Sequence, residues 1–274
     1  MILINGRVGS SVDCLDRGLQ YGDGLFETLR IENGQIQHWS LHWQRLVDGC
    51  ERLYLPFPNQ QLLLSEIEQV IAEQQSAVVK IIYTRGVTDR GYAFSEINPN
   101  RIVACFPMAE YAKENWLEGV ELFLCKTRLA HQPLLAGLKH LNRLENVLAR
   151  NEWRDKKFAD GLMCCTDGFI IEATMSNFFL VKNGRLKTAD LSQCGVAGVM
   201  RAHILQIASK QQIETSIENL TFDDLQNADE VFICNSVIGI WPVKKIDSYT
   251  FVTDMNKNGV TRTIQALLND EFSL

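Results

Sequence analysis

The chain has 274 residues, 46% hydrophobic, 9% aromatic and 22% charged, enough apolar material to bury a sizeable core and unlike a disordered composition. Lys and Arg number 27 against 33 Asp and Glu, a formal charge of -6, which argues against a broad nucleic-acid-binding face but leaves room for a local basic pocket. The start MILINGRVGSSVD lacks the pattern of a signal peptide, and no apolar run approaches the roughly 20 residues of a membrane span. The scattered cysteines read as reduced, mostly buried thiols without metal-site spacing, so a soluble cytoplasmic protein is expected.

In chain order, LFETLRIENGQIQHW predicts a hairpin turning at Asn33-Gly34. Ser40 is expected to cap the helix SLHWQRLVDGCERLYL, where Leu41, Val47, Cys50 and Leu53 recur at helical spacing, with Pro56 and Pro58 ending it. A second helix falls near LLLSEIEQVIAEQ, and AVVKIIYTRG and RIVACFPMA read as buried strands. The more polar MAEYAKENWLEG marks a connection, which predicts a smaller N-terminal domain over 1–108, a linker over 109–118 and a larger C-terminal domain over 119–274. ELFLCKTRLA then reads as a strand, and HLNRLENVLARNEW as a helix with Leu141, Leu144, Val147 and Leu148 on one side. Three short strands follow in GLMCCT, FIIEA and NFFLVKNGRLKT, turning at Asp167-Gly168 and Asn183-Gly184. GVMRAHILQIASKQQ is an amphipathic helix, and DEVFICNSVIGIWPV a strand with a polar interruption. Hairpins interleaved with helices predict two α+β domains rather than a doubly wound parallel sheet, and neither GxGxxG nor GxxxxGK[ST] occurs.

A few residues stand out chemically. Lys139, in LLAGLKHLNRLENVL, sits beside an apolar segment with no carboxylate close in sequence, where lost hydration favours a neutral, nucleophilic amine; a lysine snorkelling to solvent is the plainer reading. Glu172, in FIIEATMSNFFL, places a carboxylate between two apolar strands, where it either faces water or needs a cationic partner. Gly195 and Gly198 lead into a helix whose first N–H groups form an anion site, although glycine-led helix starts are common. Arg45 in HWQRL and Ser236 in ICNSV are unremarkable singly.

Together these segments are informative. HxxRL, then LKxLNxLxNVLA, then IxEaxxSNxF, a glycine-led GVMR helix start and a strand ending in ICNS resemble, in order, the fold-type IV (class IV aminotransferase) pyridoxal-phosphate enzymes, from Tyr21 through Val243. The resemblance implies a two-domain α+β fold like that of the D-amino-acid transaminases, with the cofactor pyridoxal 5'-phosphate at the domain junction, a homodimer and a small-molecule substrate. It implies that Lys139 carries the cofactor covalently, Glu172 pairs with the pyridine nitrogen, Arg45 binds the phosphate, and the N–H groups of Val199 and Met200 with the Ser236 hydroxyl complete the phosphate site.

Within that family, LAGLKHLNRLENVL, the Asn235-Ser236 pair and TRGVTDRGY resemble the aminodeoxychorismate lyases of folate biosynthesis. This implies that Arg90, Tyr92 and Asn235 meet the substrate and that Thr28 donates a proton to the leaving group. FET stands where those lyases show FTT, and Glu27 in that slot is a transaminase-like feature. The implied activity is conversion of 4-amino-4-deoxychorismate to 4-aminobenzoate and pyruvate. The alternatives are a D-amino-acid or branched-chain amino-acid transaminase, and a catalytically silent homologue that binds a partner; the intact set of Lys139, Glu172 and Arg45 speaks against silence.

Overall fold

Residues 1–93, 98–251, 253 and 259–272 are described by a computed structural model, in which the chain sorts into two units. Met1–Ala109 together with Leu138–Arg143 form the first, and Glu110–Gly137 with Leu144–Leu274 form the second.

The first unit comprises β1 (Ile2–Ile4), β2 (Arg7–Val8), α1 (Arg17–Tyr21), β3 (Gly24–Glu32), β4 (Gln35–Ile36), α2 (Trp39–Arg52), α3 (Gln60–Ile71), β5 (Ser76–Thr84) and β6 (Asn100–Pro107). Its strands form an antiparallel sheet in the order β2-β1-β6-β5-β3-β4. The hairpin turns where expected: Asn33 and Gly34 both take positive φ, at 49° and 71°, the backbone a two-residue turn between right-twisted strands needs. Leu46 and Cys50 from α2 and Leu63, Ile67 and Val70 from α3 bury against Leu25, Leu29, Ile31, Ile81 and Val103 of the sheet. Ser40 is not the cap of α2. The chain leaves β4 in a tight reversal, with Gln37 N–H still donating to Arg30 O, so the helix starts at Trp39 behind a left-handed His38, and Ser40 lies in its first turn. It ends at Arg52, before Pro56 is reached.

The second unit contains α4 (Glu114–Leu117), β7 (Val120–Leu129), α5 (Leu144–Arg150), β8 (Phe158–Cys165), β9 (Ile170–Ala173), β10 (Asn177–Lys182), β11 (Arg185–Ala189) and α6 (Val199–Lys210). β12 (Thr215–Glu218), α7 (Phe222–Gln226), β13 (Glu230–Asn235), β14 (Gly239–Ile246), β15 (Tyr249–Thr250) and α8 (Val260–Phe272) complete it. The sheet order is β12-β11-β10-β13-β14-β7-β8-β9, and β9 pairs back onto β10 at Glu172–Asn177, so the strands from β10 round to β9 close a ring. Pairing is mixed, with β7 parallel to both β8 and β14. Leu122, Leu162, Phe178, Ile233 and Trp241 belong to one core cluster, while α6 and α8 pack Met200, Ile204, Ile264 and Leu268 against Phe179 and Phe232 in another. The polar interruption in DEVFICNSVIGIWPV is the turn between two paired strands, β13 and β14.

Three expectations are corrected by the 137–150 region. The residues HLN are extended rather than helical. β4 covers only the far end of β3, so the edge at Gly24–Phe26 is open, and residues 139–141 take it: Phe26 N–H donates to Lys139 O at 2.9 Å and Leu141 N–H to Gly24 O at 3.0 Å. Lys139 therefore belongs to the first unit, not to the larger C-terminal domain. The helix is shortened to Leu144–Arg150, and its apolar side is not a core face: Leu144, Val147 and Leu148 are 75%, 52% and 62% exposed, and Ala149 is the buried residue. Among the described residues no helix is long and apolar enough to cross a membrane.

Candidate active site

Lys139 is placed by its backbone. Its carbonyl is held by Phe26, while Arg143 reaches back to the carbonyls on either side, Nε to His140 O at 2.9 Å and Nη2 to Leu138 O at 3.5 Å. The ammonium lies 4.3 Å from the centroid of the Phe26 ring. Strand alternation puts Phe26 and Thr28 on one face of β3 and Glu27 on the other. The Lys139 amine thus reaches over the face that carries the Thr28 hydroxyl. Beside it, His140 accepts from Asn142 N–H through Nδ1, and burial with the Arg143 charge lowers its pKa to about 4.

Arg45 does not stand alone on α2. Glu27, 2% exposed, takes Arg45 Nε on Oε1 at 2.8 Å and Nη2 on Oε2 at 2.5 Å, and the latter oxygen also accepts from His42 Nδ1 at 2.6 Å. Burial would raise the Glu27 carboxyl, but the Arg45 charge and the hydrogen bonds from His42 and Arg45 outweigh it and bring the carboxyl down to about 2. Burial lowers the His42 pKa in spite of Glu27, so its ring is neutral at pH 7 and its Nε2 is buried without a hydrogen-bond partner.

Arg90 and Tyr92 sit on an exposed loop, Tyr92 at 86%. Its backbone is fastened by Arg17, a residue with no part in the expected site: Nη1 donates to Gly91 O at 2.6 Å and Nη2 to Tyr92 O at 3.1 Å. Asp23 bridges Arg17 and Arg85. Burial works against the Asp23 charge, and the two guanidinium groups more than offset it, so its pKa is lowered.

In the second unit Glu172 is the penultimate residue of β9, 3% exposed, and its Oε2 accepts the Val196 N–H at 2.8 Å. Asn177, its partner across β9–β10, donates from Nδ2 to Val196 O at 2.8 Å. The peptide of Val196 is therefore gripped at both ends by this hairpin. Two residues on, Gly198 begins α6 and offers no side-chain acceptor to the first-turn N–H groups of Val199 and Met200. A Cβ at Gly198 would lie 1.9 Å from Asn177 Oδ1, so only glycine lets the helix start approach this closely. A buried carboxylate and an uncapped helix N-terminus, fixed by the same hairpin, form a donor set for a ligand with a basic ring nitrogen and a dianionic head. Pyridoxal phosphate has both, and the residues fit it.

Asn235 and Ser236 lie at the turn after β13. The Asn235 amide is engaged within its own unit: Nδ2 donates to Met175 O at 3.3 Å and Ser176 Oγ at 3.2 Å, and Oδ1 accepts from the N–H groups of Val237 and Ile238. It acts on the 174–176 turn directly. Asp160 supports that turn from beneath. It is fully buried, Oδ1 accepts from Thr174 Oγ1 at 2.6 Å and Gly161 N–H at 2.8 Å, and burial raises its pKa. Arg17, Arg143 and Asp160 carry no short motif; Asn177 lies within SNxF, five positions after Glu172, and that short spacing is its available signal.

Several known proteins resemble this chain. The chain is 38% identical over 98% of its length, and 100% of the other, to an aminodeoxychorismate lyase of Vibrio harveyi. It superimposes on a 4-amino-4-deoxychorismate lyase of Pseudomonas aeruginosa with a TM-score of 0.95 and 43% identity, covering 100% of both chains. A branched-chain amino acid aminotransferase of Escherichia coli matches with a TM-score of 0.86 and 25% identity over 99% of this chain and 94% of that one. The description amino-transferase class IV matches residues 24–246, a span that takes in Arg45, Lys139, Glu172, the α6 start and Ser236. With Lys139 pinned to β3 and Glu172 and the α6 start fixed by one hairpin inside that span, the chain belongs to the class IV aminotransferase family.

Proposed function

We propose that this protein is a pyridoxal-phosphate-dependent lyase that converts 4-amino-4-deoxychorismate to 4-aminobenzoate and pyruvate. The observation that carries the reading is the end-to-end likeness to lyases at 38% and 43% identity, whereas the aminotransferases match at 31% or less. Bound pyridoxal phosphate supplies an aldehyde that captures amines and a protonated ring that draws electrons from the carbon bearing nitrogen. Glu172 would hold the proton on the ring nitrogen. Arg45, the N–H groups of Val199 and Met200, and the Ser236 hydroxyl bind the phosphate. Lys139 would hold the aldehyde end of the cofactor, and its Nζ would take the proton from substrate C4. The C4–H electron pair becomes the new ring double bond, the C3–O bond breaks, and the enolpyruvyl methylene gains a proton from Thr28 or Lys139 to leave as pyruvate. The products hold every atom of the substrate, and the aromatic ring formed drives elimination. Arg90, Tyr92 and Asn235 orient the substrate, Arg90 and Tyr92 through its carboxylates.

We also propose a homodimer, supported by the exposed Leu144, Val147 and Leu148 on one side of α5, and a reducing, cytoplasmic setting, supported by eight free cysteines. The test of function is direct. The protein loaded with pyridoxal phosphate is reduced with borohydride and the labelled lysine mapped, and pyruvate release from aminodeoxychorismate is followed with lactate dehydrogenase. Label on Lys139 with pyruvate release is expected, and Lys139→Ala loses at least about a thousandfold in rate. Label elsewhere overturns the site. Label on Lys139 without pyruvate, but with conversion of D-alanine or a branched-chain amino acid, overturns the lyase reading alone.

A further inference from the structure

We infer that Arg17 is a positioning residue for substrate recognition, which sets the loop carrying Arg90 and Tyr92 by gripping its backbone where the loop begins and again beside those two residues. The inference rests on the reading that Arg90 and Tyr92 hold substrate carboxylates. Arg17 is 4% exposed, an expensive place for a guanidinium unless its donors are taken up within the protein. Its own N–H donates to Gly86 O at 2.9 Å, where the loop begins. Its guanidinium donates to Gly91 O and Tyr92 O, where the loop's recognition residues lie, and Nη1 also reaches Thr88 Oγ1 at 3.4 Å. The guanidinium lies over Tyr21, with Cζ 4.8 Å from the ring centroid, and Tyr21 in turn meets the Tyr92 ring at 5.6 Å.

This pattern is what a template for a loop requires. The Gly91 and Tyr92 carbonyls are consecutive, and a planar fork can take both while Nε is held by Asp23 Oδ2 at 2.9 Å. An ammonium has no such spread. Asp23 is itself fixed from the other side by Arg85 Nε at 2.7 Å and Nη2 at 3.0 Å, and Arg85 is anchored to the carbonyls of Leu53 and Tyr54. The orientation of the loop is therefore referred back to the rigid end of α2, through Arg85 and Asp23 to Arg17. The same geometry makes the residue testable: with Arg17 removed, Asp23 keeps its bidentate partner Arg85, so no buried carboxylate is left alone.

The test compares the cofactor-loaded native enzyme with Arg17→Met, Arg17→Lys, Arg90→Ala and the Arg17→Met/Arg90→Ala double variant. A template role predicts that Arg17→Met raises KM for aminodeoxychorismate about tenfold while kcat falls by less than about twofold, with Arg17→Lys in between. It predicts that the double variant raises KM by less than the product of the two single effects, since both act through one loop. A second reading needs no substrate: trypsin cleavage after Arg90 speeds up about tenfold in Arg17→Met, because a released loop enters the protease more readily. If Arg90→Ala raises KM and Arg17→Met leaves both KM and cleavage as in the native enzyme, the inference fails and the reading of Arg90 stands. If Arg90→Ala leaves KM unmoved, the loop does not read the substrate and both fall. A fall in kcat with KM unmoved in both Arg17 variants assigns Arg17 a purely structural role and overturns the inference as well.

Discussion

Glu27→Gln keeps the shape of a side chain and removes its charge, and the surroundings make the cost calculable. The carboxylate is 2% exposed and takes two bonds from Arg45 and one from His42. In the variant one oxygen becomes an NH2 that turns its donors on a donor, and the Arg45 charge loses its counter-ion. Removing one partner of a buried pair costs about 3–5 kcal/mol; the Arg45 side chain is 13% exposed, which puts the expectation at the lower end, about 3 kcal/mol. The proton affinity leads to the same figure. The carboxyl titrates at about 2 rather than its ordinary 4.5, and at about 1.4 kcal/mol per tenfold change in affinity this is again about 3 kcal/mol. The folded value lies below the unfolded one, so the stabilisation is complete above about pH 4.5 and is lost as pH falls toward 2. In urea unfolding, the native chain should exceed Glu27→Gln by about 3 kcal/mol at pH 7 and by only about 2 kcal/mol at pH 3.5. In thermal unfolding the variant should melt about 6–12 °C lower at pH 7. A difference under about 1 kcal/mol at pH 7, or one that stays the same at both pH values, would refute the argument that the pair is net stabilising.

Gly198→Ala places a methyl 1.9 Å from Asn177 Oδ1, so the Asn177 amide must swing and release Val196 O; the phosphate end should bind pyridoxal phosphate about tenfold more weakly by absorbance titration, and pairing it with Asn177→Ala should restore much of the loss. Binding within about twofold of native in the single variant would show that the α6 start does not hold the phosphate. Val147→Glu with Leu148→Glu puts two charges on the exposed side of α5 and should shift the protein from dimer to monomer in sedimentation, leaving the secondary structure seen by circular dichroism in place. An unaltered dimer would remove α5 from the interface.

Hairpins were the most legible part of the sequence, because a tight turn is a local event. Asn33-Gly34 and Asn183-Gly184 both take positive φ, as a two-residue connection demands, and both join paired strands. The helix around 140–153 was misread for a non-local reason. Its periodicity is real, but residues 139–141 are taken by a strand edge more than a hundred positions away, and the apolar side of what remains is exposed. Local pattern cannot separate a face turned to the core from a face turned outward. The site divides in the same way. Lys139, Glu172 and the glycines before α6 stand out in the sequence by residue type, and the roles given to them rest on the ordered resemblance. Glu27 was seen as an odd letter in a motif but not as the partner of Arg45, 18 positions later and across a helix-to-strand contact. Arg17 and Asp160 were invisible, since burial is what distinguishes them and burial is a property of the fold.

The return of residues 138–143 to the first unit has a consequence for synthesis and for dissection. The N-terminal sheet is not finished when its last strand, β6, is made; it lacks the segment that closes the β3 edge until Arg143 has emerged. A nascent or truncated chain ending near residue 109 would present Gly24–Phe26 as an unpaired rim, the kind of rim onto which another copy adds a strand. The residue read as the reactive lysine is thus also a building block of the first unit's sheet, and its place there is filled only after residues 110–137 of the second unit have been made.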